Sequence, residues 1–176
     1  MDLKEVKLSS KVAYEGRIMT IDVDEVLCPY GGKSTREVVR KTPASVVLPI
    51  LDDGNIILER QFRYPYNEVV IELPAGKVDK GEDPFNAARR ELLEETGYDS
   101  NNIEYLGKIY PTVGFCDEVI HMYVATSLIK KEQHLDEHEF VELFVCSLDE
   151  VIEMINKGEI VDSKTICVIY KYLLSR

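Results

Sequence analysis

The chain has no tryptophan, only three histidines and four cysteines, and a shortage of positive charge: Lys+Arg of 21 against Asp+Glu of 32, a formal net charge of −11. A surface this acidic repels nucleic-acid phosphates and anionic membranes unless a local basic site or a bound cation intervenes, so no nucleic-acid partner is expected. Cys28, Cys116, Cys146 and Cys167 include no Cys-x-x-Cys pair. That argues against zinc clusters and thioredoxin-like redox sites and leaves reduced, mostly buried thiols as the expectation. His121, His134 and His138 offer no His-Glu-x-x-His spacing, which disfavours a zinc hydrolase. Long apolar runs are missing too. The stretches at residues 45–51 and 69–73 fall far short of the roughly 20 residues that a membrane helix needs, so no membrane partner is expected. The opening Met1-Asp2-Leu3-Lys4-Glu5 is charged and lacks the apolar core of a signal peptide, and the expected location is cytoplasmic.

What is present is the composition of one ordinary globular protein: 45% hydrophobic and 30% charged residues, 10 Gly and 7 Pro in 176 residues. Alternating apolar residues at 12–26, followed after Gly31-Gly32 by a polar and β-branched run at 34–41, predict an N-terminal strand pair. A buried-type strand at 44–51 meets the turn Asp52-Asp53-Gly54-Asn55, and a second strand runs from 56 to about 63, the clearest hairpin signal of the chain. A β-rich run at 68–73 ends at Pro74-Ala75-Gly76, where a loop is expected to expose backbone groups. Residues 84–96 predict a helix, with Asp83 as N-cap, Pro84 in the first turn, Phe85, Ala88 and Leu92 on the buried face and Gly97 as the stop. Strands at 103–110, 118–126 and 140–145 and helices at 148–156 and 163–174 complete the pattern. The expected class is α+β with a mixed sheet and an N-terminal strand extension, residues 1–42 forming the extension and 43–176 the main domain.

Chemistry concentrates in residues 76–98. Glu91, Glu94 and Glu95 stand at i, i+3 and i+4 of the predicted helix, so they project from one face with β-carbons about 5–6 Å apart and repel one another unless a cation neutralises them. Such a cluster alone is more often a solvated helix face. Here carbonyl oxygens at Pro74-Ala75-Gly76 precede the helix, so two kinds of hard oxygen donor can converge, as Mg²⁺ or Mn²⁺ requires. Clustered carboxylates with divalent ions suit hydrolysis of a phosphoanhydride, because the ions offset phosphate charge, orient a water and lower its pKa. They also let an acidic protein accept an anionic substrate.

The same segment resembles the Nudix box, Gly-x5-Glu-x7-Arg-Glu-U-x-Glu-Glu-x-Gly-U with U a bulky apolar residue. It fits at Gly76, Glu82, Arg90, Glu91, Leu92, Glu94, Glu95, Gly97 and Tyr98. Seven fixed identities at roughly 7% each coincide by chance about once in 10⁸ start positions. The resemblance implies a Nudix-type α/β/α sandwich and metal ligation by Glu91 and Glu95, helped by Glu94 and the backbone carbonyl of Ala75. Arg90 and Glu82 would orient the ligating carboxylates. The implied cofactor is Mg²⁺, with Mn²⁺ as the alternative.

Further segments resemble the ADP-ribose pyrophosphatase branch: Arg36-Glu37-Val38-Val39, Glu59-Arg60-Gln61-Phe62-Arg63-Tyr64-Pro65, Glu72-Leu73-Pro74-Ala75-Gly76-Lys77 and Gly114-Phe115-Cys116-Asp117-Glu118. That resemblance implies AMP and ribose 5-phosphate as products and a small nucleotide-sugar substrate. Arg63 would approach the diphosphate or terminal ribose, Arg36 would lie against adenine, and Glu118 would sit beside the substrate and its metals. Glu72 and Phe115 join them as substrate-binding positions. The catalytic base is expected in the loop before the last strand, Glu137 first and Glu139 second, with Glu95 and Arg90 completing the catalytic set. In that branch the N-terminal extension exchanges across a two-fold dimer, which implies a homodimer. Two positions depart from the branch: Val113 stands where a proline is usual, and Arg17 where an aromatic often stacks on adenine.

The sequence therefore points to a Mg²⁺-dependent hydrolase of ADP-ribose. The rivals are a Nudix hydrolase of another nucleoside diphosphate sugar, a dinucleotide or a nucleoside triphosphate, and a module that binds ADP-ribose without turning it over.

Overall fold

The computed structural model describes residues 2–176. It divides into two units, one holding the chain up to Thr42 together with Tyr110–Val119, the other Pro43–Ile109 and Ile120–Arg176.

In the first unit β1 (Val6–Glu15), β2 (Thr20–Leu27) and β3 (Lys33–Arg40) form an antiparallel meander in the order β1-β2-β3. The sequence pattern predicts a pair of strands; three form, because the run 12–26 is broken where the Gly16 N–H donates to the Met19 carbonyl at 2.9 Å. Gly31 and Gly32, at φ 98° and 90°, make the second turn in a region open to glycine. The 110–119 segment is held to β3 by backbone, the Val39 N–H donating to the Phe115 carbonyl at 2.7 Å and the Asp117 N–H to the Val39 carbonyl at 3.1 Å.

The second unit is built on β4 (Ala44–Pro49). This strand runs parallel to β10 (Ile120–Thr126) and antiparallel to β7 (Ala75–Lys77), and β9 (Asn102–Ile109) flanks β10 antiparallel, giving a mixed sheet in the order β7-β4-β10-β9. A second sheet, β12-β5-β6, joins β5 (Ile56–Arg63), β6 (Glu68–Glu72) and β12 (Val141–Cys146), and β8 (Tyr98–Asp99) pairs with β11 (Ile129–Lys130). The helices are α1 (Pro84–Thr96), α2 (Leu148–Lys157) and α3 (Ser163–Leu174).

Strand periodicity explains the layering. Successive side chains of β4 point to opposite faces. Val46 and Leu48 therefore enter a core with Val151 of α2 and Val168, Ile169 and Tyr172 of α3, while Val47 packs with Ala88 and Leu92 of α1. Both faces of the strand are covered, which is why the run reads as continuously apolar in the sequence. The expected α+β class with helices on either side of a mixed sheet is what forms.

Four local expectations need correction. The 44–63 hairpin does not form as a ladder: Leu51 and Asn55 close the turn at 2.8 Å, but beyond the single Ile50 and Ile56 bridge the strands enter different sheets. They separate because Leu48 on one and Ile56 and Leu58 on the other fill the same core between the sheets. Ala75–Lys77 is a short strand on β4 rather than a loop. Phe85, expected on the buried face of α1 with Ala88 and Leu92, is 39% exposed, its ring edge-on to Tyr123 at 6.1 Å, while Ala88 and Leu92 are wholly buried. None of the four thiols is fully buried; Cys167 is exposed and the others are half-buried.

Helix ends follow their sequence signals. The Asp83 carboxylate accepts from the Phe85 N–H at 2.8 Å, and Gly97 closes α1 at φ 67° with its N–H on the Leu93 carbonyl at 2.9 Å. A β-carbon at Gly97 would stand 2.9 Å from the Gln133 backbone nitrogen. We predict that Gly97→Ala lowers stability by about 1–2 kcal/mol, from the left-handed backbone and this contact together; an unchanged urea-unfolding midpoint would contradict the assignment.

Candidate active site

Three elements of the second unit bring acidic side chains into its interior. α1 supplies Glu91 and Glu95, with Glu94 more exposed beside them. The short strand β7 lies so close to the helix that a β-carbon at Gly76 would stand 1.8 Å from Glu91 Oε1. Glycine at 76 is thus required by approach: the carboxylate occupies the space a side chain would take. Glu95 is 2% exposed, and its Oε2 accepts from the Ala75 N–H at 2.8 Å.

Arg90 organises the outer edge. Its Nη1 donates to Glu91 Oε1 at 2.6 Å and Glu94 Oε2 at 3.0 Å, its Nε and Nη2 to Glu82 at 3.1 and 3.0 Å, and Nη2 also to the Lys77 carbonyl at 2.9 Å. One guanidinium fork therefore ties three glutamates of the box to the β7 backbone. The contact with Glu82 is the largest cause holding the Arg90 pKa above its ordinary value.

The face of β5 and β6 supplies the third group. Glu59 and Glu72 lie directly opposite in the antiparallel register, so their side chains share one face, and Gln61 and Arg63 follow Glu59 on that face at the two-residue period. Arg63 grips Glu72 through two bonds, Nε at 2.5 Å and Nη2 at 2.8 Å, and Lys164 of α3 pairs with the same carboxylate. Burial works to raise the Glu72 pKa, but Arg63 and Lys164 outweigh it and hold it below the usual carboxylate range. Glu59 feels the Arg63 and Lys164 charges only at a distance: it is 1% exposed, and among the described residues neither carboxylate oxygen has a hydrogen-bond partner.

Burial first, and then like charge, pushes these groups upward. Glu91 is raised to about 7 by burial, against the pull of Arg90. Glu59 and Glu95 are both raised well above the ordinary range, Glu59 by burial and then by the charge of Glu72, Glu95 by burial and then by the charges of Glu59 and Glu91. The Glu139 charge acts on all three, which places it beside the cluster, and Gln61 Nε2 donates to it at 3.4 Å. Glu137, in the same loop, is exposed.

Of the positions singled out in the sequence, the second unit gathers Arg63, Glu72, Ala75, Arg90, Glu91, Glu95 and Glu139, with Glu94 at the rim and Glu137 outside. The other three belong to the first unit. There Arg36 donates to Glu5 through Nε at 3.0 Å, Lys41 Nζ donates to Glu118 at 2.6 Å, and the Phe115 ring is 56% exposed. Val113 and Arg17 are exposed in this unit as well. Sequence reasoning missed Glu59 and Lys164. An acid continuing the buried run Ile56-Ile57-Leu58 was the available signal for Glu59; its facing of Glu72 depends on register.

A divalent cation fits the donor set by chemistry. The groups are hard oxygens, carry surplus negative charge in a buried setting, and include an orphaned carboxylate. Among the described residues no three acidic, histidine or cysteine side chains already converge at ligating geometry, since Glu91 and Glu94 turn to Arg90 and Glu95 to Ala75.

These states predict a pH dependence. In unfolded chain a glutamate titrates near about 4.3. Between about pH 4.5 and pH 7 the folded protein keeps protons on Glu59, Glu91 and Glu95 that the unfolded chain releases, so stability falls as pH rises through that window. Glu72, Glu82 and Asp99, lowered in the fold, act in the opposite sense only on the acid side of it. Melting in a chelator should show a temperature that declines from pH 5 to 7 and a shallower decline for Glu95→Gln; a flat wild-type profile would refute the protonated, buried carboxyls.

The comparisons with known proteins agree with this geometry. The NUDIX domain pattern matches residues 40–167. The chain is 42% identical over 165 residues to the methanol dehydrogenase activator of Bacillus methanolicus, and 36% identical over 165 residues to the ADP-ribose pyrophosphatase of Bacillus subtilis (strain 168). Each match covers 93% of this chain and 89% of the relative. An ADP-ribose pyrophosphatase of Mycobacterium tuberculosis is 35% identical over 159 residues, 89% of this chain and 77% of that protein. The fold matches a crystal structure of an ADP compounds hydrolase with a TM-score of 0.89 at 21% identity, covering 99% and 95% of the two chains. With its box glutamates seated on α1 around Gly76 and its sequence matched over most of its length, the chain belongs to the Nudix family.

Proposed function

We propose that the protein is a Mg²⁺-dependent hydrolase that adds water across the diphosphate of ADP-ribose, giving AMP and ribose 5-phosphate. The observation that carries this reading is the pair of α1 glutamates seated on the β7 backbone, Glu95 buried with its carboxylate on the Ala75 N–H and Glu91 half-buried where a side chain at Gly76 would stand. Relatives named as ADP-ribose pyrophosphatases support the substrate.

In this reading Glu91 and Glu95 hold Mg²⁺, with Glu94 and the Ala75 carbonyl assisting. Bound there, the ion supplies charge neutralisation of the diphosphate and a more acidic water. Arg90 keeps Glu91 and Glu94 in place through the bonds that now tie them. Arg63, already aimed by its fork on Glu72, offers a planar cation to the phosphate or ribose oxygens. Glu139 takes the proton of the attacking water; its nearness to Glu59, Glu91 and Glu95 favours it over Glu137. The N-terminal extension, residues 1–42, is the dimerisation element in this proposal. All ten residues of β1 are exposed, and Val6, Leu8, Val12 and Tyr14 are 44–54% so, an apolar strand that a second copy would cover. Among the described residues no helix is long and apolar enough to cross a membrane, and we place the enzyme in the cytoplasm, where unpaired thiols such as its four are the norm.

The test of function is a panel of ADP-ribose, NADH, ADP-glucose, diadenosine diphosphate and dGTP with millimolar Mg²⁺, products resolved by chromatography. ADP-ribose should be preferred, with AMP and ribose 5-phosphate released. In the same assay Glu95→Gln and Glu139→Gln should each reduce kcat by about 100-fold, and Glu137→Gln far less. Preference for another substrate would overturn the ADP-ribose reading, and binding without turnover would favour a sensing module. Light scattering during size exclusion should give twice the 20.1 kDa chain mass, and Val12→Lys should shift it to monomer; a wild-type monomer would refute the dimer.

A further inference from the structure

Outside the Nudix box, one buried side chain has no hydrogen-bond partner among the described residues. Glu59 sits mid-strand in β5, 1% exposed, with both its oxygens unpaired there. A buried polar group left in this way is strongly destabilising, and a buried carboxylate more so, unless something completes it. The two cations nearest by chemistry are already engaged: Arg63 forks onto Glu72 at 2.5 and 2.8 Å, and Lys164 pairs with Glu72 and, at 3.1 Å, with Asp162. Other acids lie within electrostatic reach: Glu59 raises the pKa of Glu95, 2% exposed on α1, and Glu139, from the loop before β12, raises that of Glu59. Glu59 is thus a buried, unpartnered acid coupled to one of the two α1 glutamates proposed to hold a divalent cation.

We propose that Glu59 is a further carboxylate ligand of that cation site, entering from the β5 face opposite the α1 glutamates. The assignment rests on the reading of Glu91 and Glu95 as cation ligands and extends it to a residue outside the box. Two occupants could complete Glu59. A proton would satisfy one oxygen and make the residue a neutral hydrogen-bonding group, a role an amide of the same shape fills equally well. A cation needs the negative carboxylate, which the amide cannot replace. The cation is favoured because a protonated Glu59 would still bury an O–H and a carbonyl oxygen that no described group pairs, whereas a cation takes the oxygens of the ionised carboxylate directly.

The discriminating variant is Glu59→Gln, with binding of Mn²⁺ followed by the loss of its free-ion electron paramagnetic resonance signal and by the shift in melting temperature on adding Mn²⁺ or Mg²⁺. Wild-type protein should bind the ion and melt higher with it. Glu59→Gln, relieved of a buried unpaired acid, should fold at least as stably without metal yet bind Mn²⁺ about tenfold more weakly or worse, with a correspondingly smaller thermal shift. Unchanged Mn²⁺ affinity and stoichiometry in folded Glu59→Gln would overturn the role of Glu59 while leaving the α1 site intact. Should that variant not fold, Glu59→Asp keeps the charge but withdraws it by one methylene; weakened Mn²⁺ binding supports the ligand role and unchanged binding overturns it. Failure of the wild type itself to bind Mn²⁺, in parallel with Glu95→Gln, would instead sink the underlying reading of the cluster as a cation site.

Discussion

The close approach of helix α1 to strand β7 is the constraint on which the site depends. Ala88 and Leu92 pack on Val47 of β4, and β7 pairs with β4, so helix and short strand are drawn against the same support. At that separation the Glu91 carboxylate lies where a side chain at 76 would be. Small residues at 76, 87 and 88 are what let an acidic helix come this near to backbone. The gain is position: Glu91 and Glu95 are held at the edge of a rigid sheet rather than on a solvated helix face.

That position carries an electrostatic burden, and the protein meets it unevenly. Arg90 offsets Glu82, Glu91 and Glu94 along the rim. Arg63 and Lys164 offset Glu72 beneath. Between these two neutralised regions lie the buried Glu59 and Glu95: the Glu95 carboxylate accepts from the Ala75 N–H, and among the described residues none donates to that of Glu59. Cationic side chains thus surround the cluster without filling its centre. A buried unpaired acid is tolerated where function uses it, and the stability forfeited here is recovered from the apolar core behind β4, where Val46, Leu48, Met122 and Val168 are wholly excluded from water.

Local signals were legible wherever a short segment decides its own conformation. Asp83, Pro84 and Gly97 bound α1 through caps made within a few residues, so its limits could be read directly. The turn at 52–55 was legible for the same reason, but the partnership of its two strands was not. Whether β4 and β5 pair or diverge depends on a core shared with α2 and α3, which lie about a hundred residues later in the chain.

By itself the sequence determined the helix boundaries, the buried character of β4, the box of glutamates on one helix and hence the family, because these follow from periodicity, capping and fixed spacing along a continuous segment. Only the tertiary structure decided which acids are charged against which bases. Glu59 meets Glu72 and Glu95, Lys164 reaches Glu72 across 92 positions, and Glu139 rather than Glu137 turns to the cluster. Burial and Coulomb interaction depend on distance in space, and strand register and helix docking, which no local pattern encodes, set those distances.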